Sequence, residues 1–145
     1  MKNILLTLTS CFILTLTASC GASSPVNAPA SSSDAPANSA KDYARTLVAL
    51  DRGQKMLADV DDIDVKRINY LFGVLTYQTK QPVADIANGV DHASEKIENS
   101  YGRKVTRQQL LEDMANAYSK KLLGNVEGQP FKDVVLIWAT MKYSK

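Results

Sequence analysis

A segment rich in alanine, serine and proline divides this chain and limits which residues can build a folded core. Residues 21–40 comprise six Ala, six Ser, three Pro and two Asn among twenty positions. Such a segment has too little apolar surface to offset the entropy lost when a chain is ordered. We therefore predict a disordered tether over residues 20–40, with an end-to-end distance of about 25 Å as a flexible coil. Residues 41–145 remain for one domain with a single core.

The residues before the tether have the pattern of an export signal. Met1-Lys2-Asn3 carries one positive side chain, and Ile4–Leu16 follows without any charged residue. A charged start and a short apolar run are typical of a secretory signal peptide. The run is shorter than the roughly 20 apolar residues that a membrane span requires. We predict that the protein is exported and that residues 1–19 are its signal peptide.

Cys20 closes this signal in the sequence Leu16-Thr17-Ala18-Ser19-Cys20 and is followed by small residues. This arrangement resembles the lipobox of bacterial lipoproteins, with Thr17 where that motif usually has leucine. The resemblance implies that Cys20 carries covalent lipid, including palmitate on its new amino group. It also implies an anchor in the cell envelope, at the periplasmic face of the outer membrane. Two or more acyl chains give a stable anchor. Cleavage near Ala22, which would release a soluble exported protein, stays open as the alternative.

Charge and cysteine content narrow the chemistry of the mature chain. The formal net charge is +2 for the whole chain, and it falls to +1 without residues 1–19, whose single charged residue is Lys2. This balance gives no basis for nucleic-acid binding. Cys11 leaves with the signal and Cys20 is the lipid site. The sequence after Cys20 therefore offers no thiol for a disulfide, a nucleophile or a metal site.

The apolar spacing after the tether predicts an all-α domain, a single small antiparallel bundle of four to five helices. A first helix starts after Ser39 with Asp42 in its first turn. A second ends near Lys80. Their predicted apolar faces comprise Tyr43, Leu47, Leu50 and Leu57, then Ile68, Leu71, Phe72, Val74 and Leu75.

Cap and stop residues define the next two predicted helices. Pro82 suits the first position of the third helix, and Gly102 suits its end. Thr106 can cap the fourth, with Val105 packed on Leu110 as a hydrophobic staple. The predicted buried residues are Val83, Ile86, Val90, Ala93, Ile97 and Tyr101, then Leu110, Met114, Tyr118 and Leu122.

Residues 131–142 fit either a helix or a β-branched strand. Phe131, Val134, Val135, Trp138 and Met141 recur at helical spacing. We favour the helix because a lone strand would have no partner, and we expect Trp138 to anchor the core.

Candidate metal and catalytic groups are sparse. His92 is the single histidine and should face solvent, since it lies two positions after Val90, about 200° around a helix. Asp91 and Glu95 are near enough to form a weak metal corner, but a zinc site needs three or four convergent ligands. We predict no metal, no cofactor beyond the lipid on Cys20, and no enzymatic activity.

Four acids, Asp59, Asp61, Asp62 and Asp64, invite a calcium interpretation. Their spacing fails the EF-hand pattern, because Tyr70 stands where that loop needs a bidentate carboxylate. We instead expect the acids to favour the start of the second helix.

A small basic cluster is the one candidate contact surface. Arg103, Lys104 and Arg107 lie around the turn into the fourth helix. They could meet an acidic partner or anionic lipid, and the alternative is an ordinary solvated surface.

These observations together favour a lipid-anchored, non-enzymatic periplasmic module that binds another envelope or delivered protein. Val105-Thr106, Gln109-Leu110 and Tyr118, preceded by Tyr70-Leu71-Phe72-Gly73-Val74, faintly resemble small helical immunity proteins of type VI secretion systems. That resemblance implies neutralisation of a toxin. A pilotin-like escort for a secretion-pore subunit and a structural envelope lipoprotein are the alternatives.

The lipid assignment predicts the behaviour of a Cys20→Ser variant. This protein should leave the membrane fraction and lose the mass increase of an acylated N-terminus, because the anchor needs the thiol. Fractionation and mass spectrometry check both properties. Unchanged membrane association and mass would contradict the assignment.

Overall fold

The computed structural model describes residues 39–145 and contains five helices in that range, so the predicted all-α bundle is confirmed. The predicted signal peptide, Cys20 and most of the predicted tether lie outside the described residues. The helices are α1 (Ala40–Asp51), α2 (Ile63–Thr79), α3 (Val83–Tyr101), α4 (Arg107–Ser119) and α5 (Phe131–Tyr143).

One hydrophobic core joins all five helices. Its bulkiest fully buried side chains come from α2 to α5 and are Ile68, Phe72, Leu75, Ile86, Ile97, Leu110, Leu111, Met114 and Phe131. The buried faces predicted for the second and third helices are confirmed apart from their edges, where Val74 and Val83 are half-buried and Tyr101 is exposed. Trp138 is also half-buried and packs against this core.

The first helix is shorter than predicted, and its predicted buried face is confirmed at Leu47 but wrong at Leu50 and Leu57. Leu50 and Leu57 are 42% and 50% exposed, whereas Ala44, Leu47 and Val48 are buried. Helix α1 ends at Asp51, and Gly53 takes the left-handed conformation beyond it, at φ 64°. Leu57 therefore lies in the following loop rather than on the helix.

Capping residues set most helix ends where the sequence predicts them. Ser39 and Asp42 form a reciprocal capping box at α1, and the Thr106 side chain accepts from the Gln109 N–H at α4. Gly102 ends α3 in the left-handed conformation. Pro82 differs by one position, because it is the N-cap of α3 rather than its first residue. These local hydrogen bonds satisfy backbone groups that a helix leaves unpaired at its ends.

The structure corrects the predicted end of the fourth helix and decides between helix and strand for residues 131–142. Helix α4 ends at Ser119, so Leu122 lies outside it and is exposed rather than buried. The segment 131–142 is helical. Phe131, Val134 and Val135 are buried as predicted, while Met141 is exposed.

Gly89 allows α5 to approach α3 closely. A Cβ atom at Gly89 would lie 2.9 Å from Phe131 Cδ1 and 3.1 Å from Lys132 Cα. Gln81 fixes the same junction, because its side-chain oxygen accepts the Phe131 N–H at 2.8 Å and its amide donates to the Gln129 carbonyl at 2.8 Å. The start of α5, which has no side-chain cap of its own on Pro130, is thus capped from the α2–α3 loop.

Two glycine-to-alanine variants should therefore change stability in opposite directions. Gly89→Ala should lower the free energy of unfolding by about 1–2 kcal/mol, because overpacking outweighs the gain in helix propensity. Gly73→Ala is the matched control: a Cβ there meets nothing within 4 Å, so stability should rise by about 1 kcal/mol. Urea unfolding measures both, and equal effects would show that α3 and α5 are not in tight contact at Gly89.

Candidate functional site

The predicted basic cluster is not one surface. Arg103 and Lys104 are exposed in the loop between α3 and α4, whereas the Arg107 side chain is only 13% exposed and binds two carboxylates. Its Nε lies 2.6 Å from Asp91 and its Nη1 lies 3.2 Å from Asp51. The charge of Arg107 is therefore paired inside the fold, and a partner contact at Arg103, Lys104 and Arg107 stays a prediction.

Asp51 makes this cluster a junction of three helices. From the last position of α1, its carboxylate accepts the backbone N–H groups of Arg107 at 2.9 Å and Gln108 at 3.1 Å. Asp51 thus caps α4 from a different helix, beside the local cap by Thr106. Burial alone would lower the pKa of Arg107, but its hydrogen bonds to Asp91 and Asp51 raise the pKa above the ordinary value. The guanidinium is held charged and in place.

The acidic cluster also serves the fold. Asp62 is the N-cap of α2 and accepts the Asp64 N–H at 2.9 Å. Arg52 binds Asp62 at 2.7 Å and Asp64 at 2.6 Å, and its hydrogen bond lowers the pKa of Asp62. The expectation that these acids favour the start of the second helix is supported by this geometry, and no group of three metal-ligating side chains occurs within residues 39–145.

His92 is exposed as expected and borders a cleft of about 600 Å³ between α3 and the start of α5. The cleft is lined by Gln81, Asp85, Asn88, His92, Pro130, Phe131 and Lys132. Neighbouring Asp91 points its carboxylate to Arg107, and Gln81 is committed to α5. Asp85, Asn88 and Lys132 therefore remain as polar side chains that line this cleft together with His92.

A second cleft, of about 340 Å³, is mainly apolar. It lies between the α4–α5 loop and α5 and is lined by Leu122, Leu123, Asn125, Val126, Gln129, Asp133, Val134, Ile137, Trp138 and Met141. Three of these apolar residues, Leu122, Ile137 and Met141, are exposed.

Helix α2 exposes a regularly spaced row of large apolar side chains to solvent. Ile63, Tyr70 and Tyr77 are 79%, 63% and 76% exposed and recur every seven residues. Seven residues return to within about 20° of the same helix face. The opposite side of α2 is buried through Val65, Ile68, Leu71, Phe72 and Leu75. One helix therefore fills the core and also carries an exposed apolar stripe.

A notch interrupts this stripe at Gly73. Tyr70, Gly73, Val74 and Tyr77 surround it, with Asn69 and Gln78 at its edges. These four positions have the spacing i, i+3, i+4 and i+7, which forms the hole for a knob in helix–helix packing. A Cβ at Gly73 would meet nothing within 4 Å. The missing side chain makes this hole deeper than any other residue would.

Cations flank the stripe. The Arg67 guanidinium lies 5.9 Å from the Tyr70 ring centroid, and Lys80 Nζ lies 4.2 Å from that of Tyr77. Lys66 lies on the same side of the helix by its spacing from Tyr70. We call the whole surface the α2 outer face, and it comprises Ile63, Lys66, Arg67, Tyr70, Gly73, Val74, Tyr77 and Lys80.

Comparison with protein-family models, with curated proteins and with solved structures found no match to this chain. Within residues 39–145, the helices fall short of the length or apolar character needed to cross a membrane. Cys20, the predicted lipid site, lies outside the described residues.

The sequence analysis does not predict the α2 outer face as a contact surface, although the spacing of its residues is visible in the sequence. The second helix is predicted from its core face, and Ile63, Tyr70 and Tyr77 then fall on the other side at intervals of seven. Large apolar residues on both sides of a helix indicate burial or a partner. Only the packing of the other helices shows that this side stays open.

Charge-removing and cap-removing variants should rank the contacts at the α1–α4 junction. Asp51→Asn should cost about 3 kcal/mol, because it weakens two backbone caps and leaves Arg107 with one carboxylate in a site largely hidden from water. Thr106→Ala should cost about 1 kcal/mol through the lost local cap. Asp61→Asn is the control, since its pair with Lys66 is exposed and should be worth less than about 1 kcal/mol. Denaturant unfolding gives the order, and an Asp51 effect as small as that of Asp61 would contradict the junction.

Proposed function

We propose that this protein is a lipid-anchored, non-enzymatic binding module that holds another envelope or delivered protein near the membrane. The observation that carries the proposal is the α2 outer face, where three large apolar side chains lie in the solvent at heptad spacing. Exposed apolar patches of this kind mark interaction sites, and tyrosine and arginine are enriched at protein–protein contacts.

The anchor supports the same function. Lipid on Cys20 and a flexible segment of about 25 Å would confine the domain to a thin layer next to the periplasmic side of the outer membrane. Confinement raises the effective concentration of the domain for a partner in that layer. A modest contact area could then hold a partner that it would not hold in free solution.

The packing of the charged groups also favours binding over catalysis. Asp51, Asp91 and Arg107 stabilise the junction of three helices, and Asp62, Asp64 and Arg52 stabilise the start of α2. Groups that satisfy one another in this way are structural contacts. The exposed apolar stripe of α2 lies apart from both charged groups.

Site-specific photocrosslinking in the cells that produce the protein tests this proposal. A photoreactive phenylalanine analogue replaces Tyr70 or Tyr77 in the full chain, and the same analogue at Tyr101, an exposed tyrosine at the end of α3, is the control. We expect a discrete adduct from positions 70 and 77, because these side chains would lie at the contact, and none from position 101.

Adducts at all three positions alike, or at none, would contradict a binding site on α2. Mass identification of the adduct also separates two forms of this function. A delivered toxin as partner would mean immunity, and a secretion-pore subunit would mean an escort role.

A further inference from the structure

We infer that the occupant of the α2 outer face is an acidic amphipathic helix, which seats an apolar side chain in the notch over Gly73. This inference rests on the proposed binding function and adds the chemical class of the partner. Three properties of the surface carry it: the shape of the notch, the sign of the charges around it, and the repulsion that two copies of α2 would meet.

The shape favours a helix as the occupant. Tyr70, Gly73, Val74 and Tyr77 have the arrangement into which a facing helix inserts one side chain. Ile63, Lys66, Arg67 and Tyr70 repeat this arrangement one heptad earlier. Two consecutive holes along one helix match a partner whose apolar residues also recur at heptad spacing. A flat lipid surface, in contrast, would gain nothing from a notch between two protruding rings.

The charges favour an acidic partner. Lys66, Arg67 and Lys80 flank the stripe, while the one acid of α2, Asp64, is held by Arg52 away from it. Lys66 pairs with Asp61 at 3.1 Å and Arg67 pairs with Glu112 at 3.0 Å, but all four side chains are at least 40% exposed. Exposed pairs of this kind hold their partners weakly. Carboxylates on an incoming helix can therefore replace or join them.

The same charges oppose a second copy of this chain as the occupant. An antiparallel pairing of two α2 helices centred on Gly73 would place Lys66 of one copy opposite Lys80 of the other. A parallel pairing would place each lysine opposite itself. Like charges across an interface are unfavourable, so the α2 outer face disfavours pairing with a second copy of itself.

Two designed peptides test the inference with the full-length chain in non-ionic detergent. Both peptides are helices of about three heptads with the same leucine stripe. One has glutamate at the flanking positions and the other has lysine. Fluorescence anisotropy should give a dissociation constant about tenfold lower for the acidic peptide, and added salt should reduce the difference because it screens the flanking charges.

Gly73→Gln is the decisive variant, because it fills the notch without removing any contact of the core. Glutamine has a higher helix propensity than glycine, so the melting temperature should not fall, while the acidic peptide should bind about tenfold more weakly because its knob is excluded. Tyr70→Ala and Tyr77→Ala should weaken binding in the same way. Tyr101→Ala should not change it.

Equal binding of the two peptides, or unchanged binding by Gly73→Gln, would overturn the acidic-helix inference. It would also be overturned if vesicles of anionic lipid bound the chain in a manner dependent on Tyr70 and Tyr77 while the acidic peptide did not bind. Failure of the peptides together with adducts at positions 70 and 77 would leave the binding function in place. Failure in the crosslinking experiment would remove the binding function itself.

Discussion

The Asp51 carboxylate is the contact on which the arrangement of the helices depends. It ends α1, caps the first backbone groups of α4 and holds Arg107, which in turn reaches Asp91 on α3. Ser94 adds a buried hydrogen bond from α3 to the Val105 carbonyl at 2.6 Å, directly before α4. Since Asp51 and Arg107 are largely hidden from water, loss of either charge leaves the other poorly compensated. The group therefore fixes three helices relative to one another.

In this arrangement, one side of α2 packs in the core and the other side is exposed to solvent. Phe72 and Leu75 face a core closed by the other helices, and Tyr70 and Tyr77 remain outside it. One side of α2 makes the contacts with the core, so the other side is available for a partner. Gly73 illustrates this point, because its low helix propensity is a cost to stability that creates the notch.

Local signals were sufficient for most of the secondary structure. Ser39, Gly102 and Thr106 form hydrogen bonds or backbone turns with residues close in the sequence, so their effects are visible in the sequence. Arg107 shows the limit. Its position predicts a surface cation, but Asp51 lies 56 residues away in the chain, and no local pattern indicates that the two side chains meet. Leu50 fails for a related reason, because the rotation of α1 is set by what packs against it.

The sequence by itself therefore determined the helical class, most helix boundaries and the buried face of α2, since these follow from short-range periodicity and capping. It also carries the export and lipidation pattern around Cys20, which remains a prediction. The tertiary structure decided which side of α2 is buried by the other helices and which side is exposed. It also decided which charged side chains pair with one another between helices. These properties depend on contacts between residues far apart in the chain, and packing all five helices around one core is what brings such residues together.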